Sequence, residues 1–134
     1  MNNKYYIAGG TVMDSRDTFR YDIDGLAEEL EIDVCSLTGL FSSFVNEMEI
    51  EVSEMSRLLM EKDWNNLERV IHNIKGVCAN LTIDDVFRQA SEFHEKLKAG
   101  DSSEAAVYVE SIAQMLKNAE LDIKRYFSAK GLSI

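Results

Sequence analysis

The sequence predicts an all-α protein, an up-down-up-down four-helix bundle with a short additional N-terminal helix. Three observations predict it. From Asp24 onward apolar residues recur at steps of three and four, the period of a helix with one buried face. The segments carrying that pattern are joined by short connections, so sequential neighbours must run antiparallel. The 134 residues include no proline, so nothing forces a kink or stop inside a helix. A chain of this length suits one domain with one core.

Residues 1–21 read as an N-terminal leader. Tyr5-Tyr6-Ile7-Ala8, Gly9-Gly10 and Thr11-Val12-Met13 suit either a small hairpin with a two-residue turn or a disordered stretch. The bundle is expected over residues 22–130. Asp24 is the expected cap of a short helix through Leu30, with Leu26, Ala27 and Leu30 as its apolar side. Asp33 then caps a longer helix carrying Leu37, Phe41, Phe44, Met48, Val52, Met55 and Leu59, which ends at a tight Lys62-Asp63 turn.

The next helix carries Trp64, Leu67, Ile71, Ile74, Cys78 and Leu81, alternating steps of three and four as in a bundle seam. Thr82 or Asp84 breaks the chain briefly. A further helix follows with Ile83, Val86, Phe87, Ala90, Phe93 and Leu97, and it stops at Ala99-Gly100, where glycine is the expected terminator. Ser102 or Ser103 opens the last helix, which buries Ala105, Val109, Ile112, Leu116, Ala119, Ile123 and Phe127.

The formal net charge is −10, from 14 basic and 24 acidic side chains. That argues against nucleic acid as a partner, because a phosphate-binding surface needs clustered Lys and Arg to release counterions. No stretch approaches the roughly 20 apolar residues of a membrane helix, so no membrane partner is expected. Met1–Gly10 lacks the apolar core of a signal peptide. The expected compartment is the cytoplasm, where Cys35 and Cys78, each among apolar residues, read as two reduced core cysteines.

One stretch departs from ordinary helix composition: His72-Asn73-Ile74-Lys75-Gly76. A glycine inside a helix costs about 1 kcal/mol relative to alanine. A missing side chain there clears space beside His72 for another molecule. With Ile71, Ile74 and Cys78 pointing inward, His72 is turned by about 100° onto the flank of the seam. Glu68, Arg69, Lys75, Gly76 and Ala79 share that flank. Arg69 and Lys75 each lie three residues from His72 and bracket it with positive charge, which would offset a phosphoryl group of about two negative charges.

The stretch Arg69-Val70-Ile71-His72-Asn73-Ile74-Lys75-Gly76-Val77-Cys78-Ala79-Asn80-Leu81 resembles the histidine-containing phosphotransfer (HPt) domains of bacterial phosphorelays. Their signature is histidine, any residue, an aliphatic, lysine, glycine, small residues and a leucine. Asp63-Trp64 looks like the Gly-Asp lead-in before the family's helix. The likeness spans residues 33 to 100 by motif and the last helix by pattern. It implies that His72 is the phosphoryl acceptor, Lys75 the charge partner and Gly76 the clearance residue. It also implies a polar side chain on the following helix that hydrogen-bonds the acceptor's Nδ1 and leaves Nε2 free as nucleophile.

The matching position is His94, where the family often has glutamate or glutamine. A neutral His94 can accept that bond but is pH-sensitive near neutrality. Glu95 or Glu92 would substitute if the helix is rotated. Val77 and Thr82 stand where the family often has serine and glycine.

A metal site is not expected. His72 and His94 with scattered carboxylates such as Glu68, Glu92 or Glu95 fall short of four arranged ligands, and no Glu-x-x-His pair occurs. Gly9-Gly10 lacks the lysine and following helix of a nucleotide site, so no ATP-dependent kinase activity of its own is expected.

The resemblance implies a phosphorelay intermediate that binds no cofactor itself, with Mg²⁺ carried by the partner. The implied partners are response-regulator receiver domains and a sensor or hybrid histidine kinase. They would be met through Arg69, Lys75, Gly76 and Ala79, with Lys62 or Arg88 at the rim; a monomer is expected. The alternative is an adaptor or inhibitor of the same fold that only binds signalling partners.

Overall fold

Asp22, rather than Asp24, starts the first helix. Its carboxylate accepts the Gly25 amide at 2.9 Å, which leaves Asp24 inside the first turn. The computed structural model describes residues 19–134, and the hairpin-or-leader alternative for the residues before them lies outside that range. The helices are α1 (Ile23–Leu30), α2 (Thr38–Glu61), α3 (Trp64–Asn80), α4 (Asp84–Lys98) and α5 (Ala105–Ala129).

The described residues are all-helical and form the expected bundle. α2, α3, α4 and α5 pack in cyclic order, each against the next, with α5 closing back on α2. Among the described residues no helix is long and apolar enough to cross a membrane.

Local chemistry sets the joints. Asp33 caps a 3-10 turn, Val34–Leu37, and not α2 itself; its carboxylate accepts both the amide and the hydroxyl of Ser36 at 2.9 Å. α2 stops where Lys62 takes a left-handed φ of 56°, and Asp63 then caps α3. Thr82 also sits left-handed, at φ 60°, in the turn between α3 and α4, where Ile83 is the cap rather than a helical residue. Gly100, at φ 79°, ends α4 as expected. Ser102 and Ser103 fall in the connection, where the Asp101 carboxylate accepts the Ser103 amide and hydroxyl.

The core follows the predicted seams. Leu37, Phe41, Met55, Leu67, Ile71, Ile74, Cys78, Val86, Ala90, Ile112, Ala119, Ile123 and Phe127 are sealed from solvent. Burying one such large apolar side chain stabilises by roughly 1.5–3 kcal/mol. Val52, Leu59, Trp64 and Phe87 are only half-buried, and Leu30, the last residue of α1, is 49% exposed. Val45, Leu58, Tyr108 and Tyr126 are buried although the seam pattern omits them. Cys35 is exposed in the 3-10 turn, contrary to the expectation of two core cysteines, while Cys78 is buried.

Residues 19–21 strap the chain's start to α4 and α5. Tyr21 is buried, Arg20 pairs with Asp85 at 3.2 Å and Asp122 at 3.3 Å, and Phe19 meets Tyr126 edge to face.

Candidate functional site

The phase of α3 is fixed at its first turn. The Asp63 carboxylate accepts the Asn66 amide at 3.3 Å and its side-chain NH₂ at 2.7 Å. With Leu67, Ile71, Ile74 and Cys78 turned inward, the flank one residue on faces solvent. There Arg69, His72, Gly76 and Ala79 are exposed and Lys75 is half-buried. The structure thus brings these α3 residues into one open strip. At the edge of that strip toward α2, the Asn73 side-chain amide donates to Glu47 at 2.9 Å and to Glu51 at 2.7 Å on α2. These bonds hold α3 against rotation.

Gly76 is not demanded by internal packing. A side chain started there would meet nothing within 4 Å. The chain therefore carries a helix-weakening residue where its own fold would accept alanine. The gain is a bare patch one turn beyond the His72 ring. Arg69 leans away, its Nη1 donating to Asn66 Oδ1 at 3.1 Å. Lys62 sits exposed at the end of α2, and Arg88 lines a separate depression with Arg20, Tyr21, Asp84 and Asp85.

α4 packs on α3 and brings His94 against His72, with 5.2 Å between ring centroids and 40° between planes. His94 is buried, 6% exposed. Its Nε2 lies 3.6 Å from Glu68 Oε2, longer than a hydrogen bond but within ion-pair reach. Its Nδ1 is buried with no hydrogen-bond partner among the described residues, as is Ser91 Oγ one turn earlier. The rings touch, and no hydrogen bond joins them among the described residues. Burial, then the Lys75 ammonium, holds the His94 imidazole below its ordinary value; His72 and Lys98 act in the same direction, and Glu68 opposes them.

The other α4 candidates are engaged elsewhere. Glu92 accepts the Tyr108 hydroxyl at 2.7 Å, and Glu95 pairs with Lys98 at 3.6 Å. Among the described residues no three His, Cys, Asp or Glu side chains gather as a metal site.

Glu68, by spacing only a flank residue and a scattered carboxylate, faces His94 across the helix pair. The available signal was its position four residues before His72, one turn back on the same face.

The family model described as the Hpt domain matches residues 39–121, more than half of the chain. Neither a curated protein nor a solved structure matches it. The matched span takes in α2, α3, α4 and most of α5, and so includes His72, Lys75, Gly76 and His94. With the four-helix packing and the exposed histidine strip, this places the chain in the family of Hpt domains.

Proposed function

We propose that the protein is a phosphorelay intermediate: His72 accepts a phosphoryl group from an aspartyl-phosphate receiver domain and passes it to another receiver. Membership in the Hpt family implies phosphotransfer in two-component signalling, and the relay role of this chain goes beyond that. The observation that carries it is the pairing of an exposed His72 with a Gly76 whose missing side chain serves no internal packing need.

In this reading the neutral His72 attacks phosphorus through Nε2 while the acyl P–O bond breaks and its electron pair leaves on the donor carboxylate. The receiver supplies the aspartate, the Mg²⁺ and most of the transition-state electrostatics. Lys75 lies one turn along and offsets phosphoryl charge. Arg69, Gly76 and Ala79 complete the docking strip, which suits an acidic receiver pocket. The protein acts in the cytoplasm as a monomer.

One observation favours the second reading, a binding-only adaptor: among the described residues His94 makes no hydrogen bond that would orient the His72 ring. A single experiment separates the two. The pure protein is incubated with a panel of phosphorylated receiver domains, and acid-labile phosphate is read on wild type and His72→Gln. Label on wild type alone is expected. Binding without label from any receiver would move the assignment to the adaptor.

A further inference from the structure

His94 is a buried base with a one-sided environment. α3 presents Glu68, His72 and Lys75 to it, and α4 adds Lys98 one turn on. From α5, Tyr108 stacks on the neighbouring Phe93 and commits its hydroxyl to Glu92. In the resting protein, burial and the nearby cations disfavour a proton on His94. One feature prepares the ring for the opposite state. Glu68 Oε2 stands 3.6 Å from Nε2, so a shift of roughly 0.7 Å or slightly more would make a charge-assisted hydrogen bond. Nδ1 is buried with no hydrogen-bond partner among the described residues, so the imidazolium carries an unpaired N–H there, a cost that Glu68 has to offset.

Resting on the transfer reading above, we propose that Glu68 and His94 form a proton-holding pair behind His72. His94 takes up a proton when His72 receives the phosphoryl group, and Glu68 stabilises the resulting imidazolium. The ring centroids are 5.2 Å apart, and the phosphoryl charge, carried on Nε2 beyond the His72 ring, acts on His94 from somewhat farther than that. A phosphoryl group on His72 adds about two negative charges to a surrounding in which Lys75 and Lys98 now outweigh Glu68.

The balance is simple. The N–P bond forms at His72 Nε2, the donor's bond to phosphorus breaks and takes its electron pair with it, and the His94 proton comes from solvent. Glu68 is a positioning residue, since it reaches the phosphoryl group only through His94. Linkage is reciprocal: if phosphorylation draws a proton onto His94, acid draws the phosphoryl group toward His72. The wild-type transfer equilibrium would then shift toward His72 by up to about tenfold per pH unit lost between the two His94 midpoints.

The test phosphorylates the full chain with phosphoramidate, locates the label by mass spectrometry, and follows the His94 ring by NMR titration in both states. The midpoint of His94 is expected to rise by about one pH unit or more on phosphorylation, and by less in Glu68→Gln. The transfer equilibrium with a receiver should lose the His94 part of its pH dependence in His94→Gln. An unchanged His94 midpoint in a phosphorylated protein overturns the coupling and leaves the transfer reading standing. Equal rises in wild type and Glu68→Gln overturn the role of Glu68. Failure of His72 to take phosphoryl from either phosphoramidate or a receiver overturns the transfer reading, and the coupling with it.

Discussion

The imidazole of His94 lies against that of His72, 5.2 Å between centroids, and only one of the two is open to solvent. The buried ring is held below the ordinary imidazole value of 6.5, first by burial and then by Lys75. In the unfolded chain it regains that value, so below it the unfolded state binds more protons. The His94 contribution to stability is therefore full above the ordinary imidazole value. It is lost as pH falls through that value toward the lower folded one. Denaturant midpoints measured across this window should fall more steeply in wild type than in His94→Gln. Parallel curves would show that burial places no penalty on the proton.

Gly76→Ala should separate stability from function. Nothing surrounds the position, so alanine is expected to raise stability by about 1 kcal/mol through helix propensity alone. Transfer to a receiver should slow, and Gly76→Leu should slow it further. A leucine variant that transfers at the wild-type rate would show that no partner approaches this patch.

Lys75 is half-buried, and its proposed part is a single, partly solvated charge interaction with the phosphoryl group. Partly exposed ion pairs contribute up to about 1 kcal/mol, so Lys75→Ala should slow transfer by less than about tenfold. Single-turnover transfer from a labelled receiver gives the rate. Equality with wild type would reduce Lys75 to a surface lysine.

Thr82 holds a left-handed φ of 60° at the α3–α4 turn. Such a backbone costs a β-branched residue about 1–2 kcal/mol, part of which glycine returns as unfolded-state entropy. Thr82→Gly should gain about 0.5–1 kcal/mol, read by thermal unfolding, without change in the packing of α3 on α4. A loss would mean that the Thr82 hydroxyl, 2.6 Å from the Leu81 carbonyl, outweighs the backbone strain.

The two thiols should react unequally. Cys35 is exposed, whereas burial pushes the Cys78 thiol up to about 12 and seals it in the core. A thiol-specific chromogenic reagent is expected to label Cys35 alone in the folded protein and both after unfolding. Labelling of Cys78 under native conditions would show that α3 opens locally.

Helix-forming periodicity is a local property, and it was legible residue by residue. The steps Leu67–Ile71–Ile74–Cys78 fixed which flank of α3 His72 would occupy, and the structure leaves that flank open. Boundaries were less legible where two aspartates compete within a turn. Asp22 and Asp24 have the same chemistry, and the choice between them rests on which one's carboxylate reaches a free amide. Tyr126 lies outside the seam pattern, yet its hydroxyl reaches Asp24 at 2.5 Å while its ring lies in the core beside Phe127. Cys35 failed as a core residue because the chain leaves the helical period in the 3-10 turn, and the seam count no longer applies there.

By itself the sequence determined the helices, their order and the exposed face carrying His72, Lys75 and Gly76, because each follows from spacing within one segment. Only the tertiary structure decided what His94 meets among the described residues: Glu68 near one nitrogen, no partner on the other, and the His72 ring at its side. The physical reason is that spacing along α4 sets direction to within a face. The rotation and approach of α4 against α3 come from packing of the whole core, and they place one nitrogen or the other within reach.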